Sequence, residues 1–182
     1  MFKETPKKII SLQNPLIKHL VKLRIDARYR KEQGSLLVSG YKLVGELSEI
    51  TAPIRVFSET PHPLHTLVSE AVMKKITGLT SPEGIAAEFP LPSPSSLEGK
   101  APLLALDRIN DPGNMGTLIR TALALGWAGI YFLPGCVDPF HEKVIRASRG
   151  ALFRLPWKEG DWEELKKSRL TNRTTERDCS SS

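Results

Sequence analysis

Apolar residues recur at helical spacing early in the chain, at Leu16, Ile17, Leu20, Leu23 and Ala27. Asn14 and Pro15 open this stretch and Gly34 follows it. An asparagine cap, a proline in the first turn and a glycine stop are ordinary helix ends, so one helix is predicted from Pro15 up to Gly34. Beyond it the period changes. Leu36-Leu37-Val38 predicts a short strand, a turn at Gly40 leads into a helix from Tyr41 to Ser48, and Ile54 to Phe57 predicts another strand. A helix over Glu70 to Ile76 and a strand near Ile85 to Phe89 complete a small α/β domain, placed at residues 1–90. Residues 91–102 mix proline and glycine with serine, which suits neither a helix nor a central strand, and are assigned to a linker.

Downstream the order is strand, loop, helix, strand. Leu103-Leu104-Ala105-Leu106 is an unbroken apolar run, the pattern of a strand buried on both faces. Asp107 to Asn114 is rich in turn formers. Met115, Leu118, Ile119, Ala122 and Leu123 then mark the buried stripe of a helix that Gly126 closes, and Gly129 to Leu133 predicts a second buried strand. This is the start of a parallel βαβ arrangement, in which ligands bind at the carboxyl ends of the strands. Asp161 to Lys167 predicts one more helix, and residues 103–167 are taken as the second domain. Residues 168–182 hold Leu170 as their single large apolar residue and show no period; too little can be buried to order them, so a disordered tail is expected.

Composition narrows the function. The chain has 182 residues, 40% of them hydrophobic, which fits a globular protein. No apolar run is long enough for a membrane helix, and Met1 to Pro6 has no apolar core of a secretion signal; a cytoplasmic protein without membrane association is expected. The formal net charge is +6, with Lys18, Lys22, Arg24, Arg28, Arg30 and Lys31 crowding the first predicted helix. Arg24, Arg28 and Lys31 fall at i, i+4 and i+7. Two descriptions suit them equally, a solvated basic face and a surface that tracks nucleic-acid phosphates. Cys136 and Cys179 offer no zinc spacing, and His62 and His65 have no further ligand nearby, so no metal site is expected.

The stretch Asp107 to Ala122 carries the candidate chemistry. It lacks the G-x-G-x-x-G of a dinucleotide fold and the G-K-S/T of a P-loop. Asn114 is expected to cap the helix, with the N–H groups of Met115 and Gly116 at the ligand edge. Arg120 falls about 140° round the helix from Met115, within two turns of that edge. An amide and a guanidinium near one helix start suit a phosphate or a ribose. Spacing alone, however, favours a capped helix with a surface arginine.

Asn114-Met115-Gly116-Thr117-Leu118-Ile119-Arg120-Thr121-Ala122, opened by Asp107-Arg108-Ile109-Asn110-Asp111-Pro112-Gly113, resembles the first signature motif of SpoU-type RNA 2′-O-ribose methyltransferases of the SPOUT superfamily. Arg146-Ala147-Ser148-Arg149-Gly150-Ala151 resembles the R-A-S-x-G-A stretch that follows it in that family. Gln13-Asn14-Pro15, Leu37-Val38-Ser39-Gly40 and Ser81-Pro82-Glu83-Gly84-Ile85 resemble its small RNA-binding domain, with Ser39 where many relatives carry glutamate. The resemblance runs from about Ile10 to about Pro156. It implies methyl transfer from S-adenosylmethionine to a ribose 2′-hydroxyl of rRNA or tRNA, a parallel sheet closed by a trefoil knot, and a homodimer. It implies catalytic roles for Arg120, matching the arginine assigned to hydroxyl activation, and for Asn114, which would hold the ribose or that arginine. Arg146, Ser148 and Arg149 join Arg24, Arg28 and Lys31 as candidate RNA contacts. His141 could shuttle a proton, although a loop histidine is more often a bystander.

After Pro156 the family pattern continues through a G-x-E-x-x-G loop, an I-P-M stretch and an S-L-N helix that build the cofactor pocket. None of these follows here. The expectation is therefore a truncated or frame-shifted end, cofactor-binding residues left unassigned, apolar edges uncovered beside Leu103–Leu106 and Gly129–Leu133, and no calorimetric binding of S-adenosylmethionine. A non-catalytic RNA-binding remnant is the alternative.

Overall fold

The structure, a computed structural model, describes residues 8–167. It forms two compact units that part between Leu91 and Pro92, with Phe140–Glu142 grouped with the first.

In the first unit, strands β1 (Ser35–Ser39), β2 (Arg55–Ser58), β3 (Thr66–Leu67) and β4 (Ile85–Pro90) form one sheet in the order β1-β4-β2-β3. β4 runs antiparallel to both neighbours, and β2 pairs with β3 in parallel. Helices α1 (Pro15–Ile25), α2 (Ala27–Gln33), α3 (Tyr41–Ser48) and α4 (Glu70–Thr77) accompany the sheet. Ile17, Leu20 and Leu23 of α1 meet Val72, Met73 and Ile76 of α4 and Phe57 of β2 in one buried cluster. Asn14 caps α1 by accepting from the Leu16 N–H at 2.9 Å, with Pro15 in the first turn as its sequence predicts.

The single helix expected over Pro15 to Gly34 is two. Asp26 takes an extended conformation, φ −118° and ψ 108°, and its carboxylate accepts from the Tyr29 N–H at 3.0 Å. One residue thus ends α1 and caps α2, because a short carboxylate offers the backbone an alternative to the helical ladder. The break lets the buried Arg30 turn back and donate to the carbonyls of Leu23 and Arg24, which the end of α1 leaves open. It also dissolves the expected Arg24, Arg28 and Lys31 stripe. Arg24 belongs to α1, is half-buried, and lies where a Cβ on Gly78 would be. Arg28 and Lys31 sit exposed on α2, Arg28 paired with Glu32 at 2.9 Å.

A polar network threads this core. Glu88, on the central strand β4 and 6% exposed, accepts from the Ser35 hydroxyl at 2.8 Å. His19 Nε2 lies 3.1 Å from the same carboxylate, and its Nδ1 lies 2.9 Å from the Tyr29 hydroxyl. A carboxylate only accepts, so Nε2 donates, and in the neutral ring Nδ1 accepts from the Tyr29 hydroxyl. Removing the acid leaves buried donors without acceptors. Glu88→Ala is expected to cost about 3 kcal/mol and Glu88→Gln about 1, read from urea denaturation. A loss below about 1 kcal/mol for the alanine variant would mean water takes over these bonds.

In the second unit, β5 (Leu103–Leu106), β6 (Gly129–Phe132) and β7 (Trp157–Glu159) form a wholly parallel sheet in the order β5-β6-β7. Helices α5 (Pro112–Ala124) and α6 (Glu142–Ser148) and a 3-10 turn at Ala151–Phe153 follow the strands. β6 is central and buried at all four positions. β5, expected to be buried on both faces, is instead an edge strand with Ala105 exposed and only Leu106 fully buried. β7 covers the far side of β6, where an open apolar edge was expected. Residues 162–167 are helical, as predicted; the expected tail at 168–182 lies outside the described residues. Among the described residues no helix is long and apolar enough to cross a membrane, and no group of three or more candidate ligands could hold a metal ion.

The helical segment after β7 packs Leu165 against Tyr131 and Leu133 and bonds to the central strand through the Tyr131 phenol. Tyr131 is buried, and its hydroxyl donates to Glu164 Oε2 at 3.2 Å and lies 3.3 Å from the Asp161 carbonyl. Burial first, then the hydrogen bond to Glu164 and the charges of Glu164 and Asp161, push its pKa up to about 12. The unfolded chain releases this proton near pH 10, earlier than the folded one. Its stabilising contribution is therefore complete below about pH 10 and is lost as pH rises through the folded value. Tyr131→Phe should flatten the alkaline decline of stability in denaturation series above about pH 10. Parallel declines in wild type and variant would contradict it.

Candidate functional site

The loops that follow β5 and β6 are fastened to each other. Leu106 O accepts from the Leu133 N–H at 2.9 Å and from Cys136 Sγ at 3.3 Å, and Ile109 O accepts from the Val137 N–H at 2.9 Å. These bonds fix the carboxyl edge of the sheet, where α5 begins.

Asp111, not Asn114, caps α5. Its carboxylate accepts from the Asn114 N–H at 2.7 Å, its carbonyl accepts from the Met115 N–H at 3.0 Å, and Pro112 takes the first helical position. Proline has no N–H to leave unpaired, and a carboxylate suits the positive end of the helix, so the helix starts there. Asn114 consequently lies inside the first turn, exposed, with its side chain released from capping. The Met115 N–H expected at the ligand edge is consumed by the helix. The Asp111-Pro112 pair was the sequence signal for this start.

The buried face of α5 is Met115, Gly116, Ile119 and Ala122, whereas Leu118, expected on that face, is 36% exposed and Leu123 is only partly buried. Gly116 sets this rotation. A Cβ there would collide with Ala147 Cβ and lie 2.8 Å from the Ser148 nitrogen and 2.9 Å from the Val144 oxygen. The backbones of α5 and α6 thus touch at this glycine, and α5 also packs on the turn Ala151–Phe153. Arg120 stands one turn beyond the crossing on the exposed side. The segment that leaves α6, Arg149-Gly150, turns with both residues left-handed, φ 52° and 68°.

The crossing brings Gly116 of α5 against the end of α6, and Arg120 follows one turn later on α5. Arg149 is exposed and Arg146 half-buried. Ser148, expected among the RNA contacts, is 2% exposed and donates its hydroxyl to the Ile145 carbonyl at 3.2 Å; it holds the helix end and cannot reach a ligand. His141 is half-buried.

Residues 101–177 match the SpoU rRNA Methylase family, and residues 14–87 match the MRM3-like substrate binding domain. The chain belongs to the SpoU family. Its mixed-sheet unit is the substrate-binding domain, and its parallel-sheet unit is a SpoU methylase portion that is partial relative to homologues. Among SpoU-family relatives, an uncharacterized tRNA/rRNA methyltransferase of Synechocystis is 34% identical over 81% of this chain and 60% of its own length. The 23S rRNA (guanosine(2553)-2′-O)-methyltransferase RlmP of Bacillus subtilis is 32% identical over 82% of this chain and 64% of its own. The AdoMet-bound rRNA methyltransferase of Sinorhizobium meliloti superposes with a TM-score of 0.78 at 29% identity, covering 90% of this chain and 68% of that one. The chain thus spans 60% and 64% of the length of these two curated relatives.

S-adenosylmethionine needs a purine slot and partners for its ammonium and carboxylate. A cavity of about 350 Å³ lies in the second unit, lined by Ser95, Leu97, Glu98, Leu103, Tyr131 and Lys158 among others. It opens beside the start of β5 and includes neither Asn114, Arg120 nor the loop after Leu106. That cavity is separate from the Asn114–Arg120 edge, and no step below is routed through a cofactor site.

Proposed function

We propose that the whole protein transfers a methyl group from S-adenosylmethionine to a ribose 2′-hydroxyl of RNA, rRNA or tRNA, and that these residues supply its RNA-facing part. The observation that carries this reading is the placement of Arg120. It stands exposed one turn past the Gly116 crossing, on a helix that starts at the sheet's carboxyl edge and packs on Ala147 and Ser148, next in sequence to Arg149.

The chemistry asks little of acids and bases. The ribose oxygen forms a bond to the methyl carbon while the carbon–sulfur bond breaks; sulfur leaves neutral and needs no proton. The hydroxyl proton passes to solvent or to a neighbouring phosphate oxygen. The oxygen must be aligned and its growing negative charge stabilised. Arginine keeps its proton far above neutral pH, so Arg120 acts by donating hydrogen bonds, to the reacting oxygen and to an adjacent RNA phosphate, rather than as a base. The uncommitted amide of Asn114 holds the ribose or that guanidinium. Arg149 and Arg146 meet phosphates, as do Arg28 and Lys31 on the substrate-binding unit. Arg24, half-buried against Gly78, contributes through packing as much as through charge. On the same reading the whole protein is a cytoplasmic homodimer; Leu118 on α5 and Leu125 at its C-cap, both exposed, offer apolar surface for the second copy.

Incubation of the whole protein with RNA and methyl-labelled S-adenosylmethionine tests the proposal. Label is expected in RNA. RNA binding with no label would favour the alternative, an RNA-binding protein without transfer activity.

A further inference from the structure

Among the described residues, the non-glycine positions with left-handed backbone are Arg108, φ 53°, and Arg149, φ 52°. Both are arginines and both are exposed. Glycine or asparagine occupies that conformation at less cost, because a longer side chain crowds its own carbonyl. Arg149 already belongs to the site. Arg108 does not, and it follows the end of β5 by two residues.

Its conformation is imposed from both sides. The carbonyls of Leu106 and Ile109 are tied to Leu133 and Val137 in the next loop, so the two residues between them have little freedom. Such over-determined backbone persists where the side chain's position is worth its cost. The stem of Arg108 crosses Gly135, φ 88°, where a Cβ would lie 3.1 Å from Arg108 Cγ. Its side chain is 80% exposed, and the carboxylate nearest to it is that of Asp107, 3.8 Å from Nε, too long for a hydrogen bond. The guanidinium is therefore held at the carboxyl edge of the sheet with its donors uncommitted.

We propose that Arg108 contacts an RNA phosphate, as a positioning residue for the strand whose ribose Arg120 engages. This rests on the RNA reading above. The test is fluorescence anisotropy of a labelled RNA hairpin with the full chain over a range of salt concentrations, beside thermal unfolding. Arg108→Gln keeps the stem and the backbone cost but removes the charge. It is expected to bind about 10-fold more weakly, with a salt slope shallower by about 1 and an unchanged midpoint of unfolding. Arg108→Gly should weaken binding as much while raising the unfolding midpoint, since the backbone cost is relieved. Arg108→Lys should keep most of the slope. If wild type binds the hairpin and Arg108→Gln binds with the same affinity and slope, the assignment falls and the RNA reading stands. Absence of hairpin binding by wild type would overturn both. A lower midpoint for Arg108→Gly would show that the arginine is there for stability instead.

Discussion

Arg120→Ala is expected to lower methyl transfer by the whole protein by about 10³-fold while RNA affinity changes less than about 5-fold. The asymmetry follows from where charge appears. On the proposed reading the 2′-hydroxyl is neutral in the ground state, and Arg120 would offer it one hydrogen bond among many RNA contacts. In the transition state the oxygen carries part of a negative charge, and a fixed guanidinium next to it strengthens its bond without reorganising. Loss of one such donor elsewhere in enzymology costs two to three decades, and the charge of arginine places this case at the upper end. Arg120→Lys keeps the charge but not the planar fork that spans hydroxyl and phosphate, so intermediate activity is expected. Steady-state transfer rates and filter binding measured on the same variants separate the two effects. A variant of normal rate would remove Arg120 from the chemistry, and an equal loss of rate and affinity would reduce it to a phosphate contact.

Gly116→Ala is expected to destabilise the fold by about 2 kcal/mol, although alanine favours a helix over glycine by about 1. The added methyl meets Ala147 Cβ, the Ser148 nitrogen and the Val144 oxygen. Backbone atoms cannot rotate aside, so α5 and α6 must separate. Gly116→Val should cost more than Gly116→Ala, by about a further 2 kcal/mol, and should push α5 away from the end of α6. Thr117→Ala, at an exposed neighbour, is the control and should stay within about 0.5 kcal/mol of wild type. Chemical denaturation reads all three. A Gly116→Ala protein more stable than wild type would show that the helices yield, and that this glycine does not set their spacing.

Elements with one strong periodic signal were legible in the sequence. Tyr41 to Ser48 forms a helix with those bounds, and Ile85 to Phe89 lies within β4. Elements set by a single side chain or by a distant partner were not. Asp26 splits the first helix because its carboxylate competes for the Tyr29 N–H, which apolar spacing across Leu16 to Ala27 cannot register. β3 and β7 are too short for a pattern, and each exists through its pairing with β2 or β6. The burial of Leu103–Leu106 was overestimated because an apolar run does not say whether a strand lies inside a sheet or on its edge.

At the site, the motif from Asn114 to Arg120 was found, but the parts were misallotted. Asp111 does the capping that was given to Asn114, which leaves the asparagine amide free for a ligand. Gly116 was counted as a donor of a backbone N–H, whereas its missing side chain is what matters. Ser148 was counted as a contact because it stands in a matching stretch between Arg146 and Arg149, yet helical geometry turns it inward. Resemblance located the segment; the packing of α5 on α6 decided which of its side chains reach outward.

The most direct test is where on the RNA the methyl group lands. A 2′-O-methyl group removes the hydroxyl that alkali needs to cleave the neighbouring phosphodiester. RNA labelled by the whole protein, hydrolysed in alkali and separated by charge, should release its label as resistant dinucleotides. Label recovered in mononucleotides would place the methyl on a base and contradict the role given to Arg120 and Asn114.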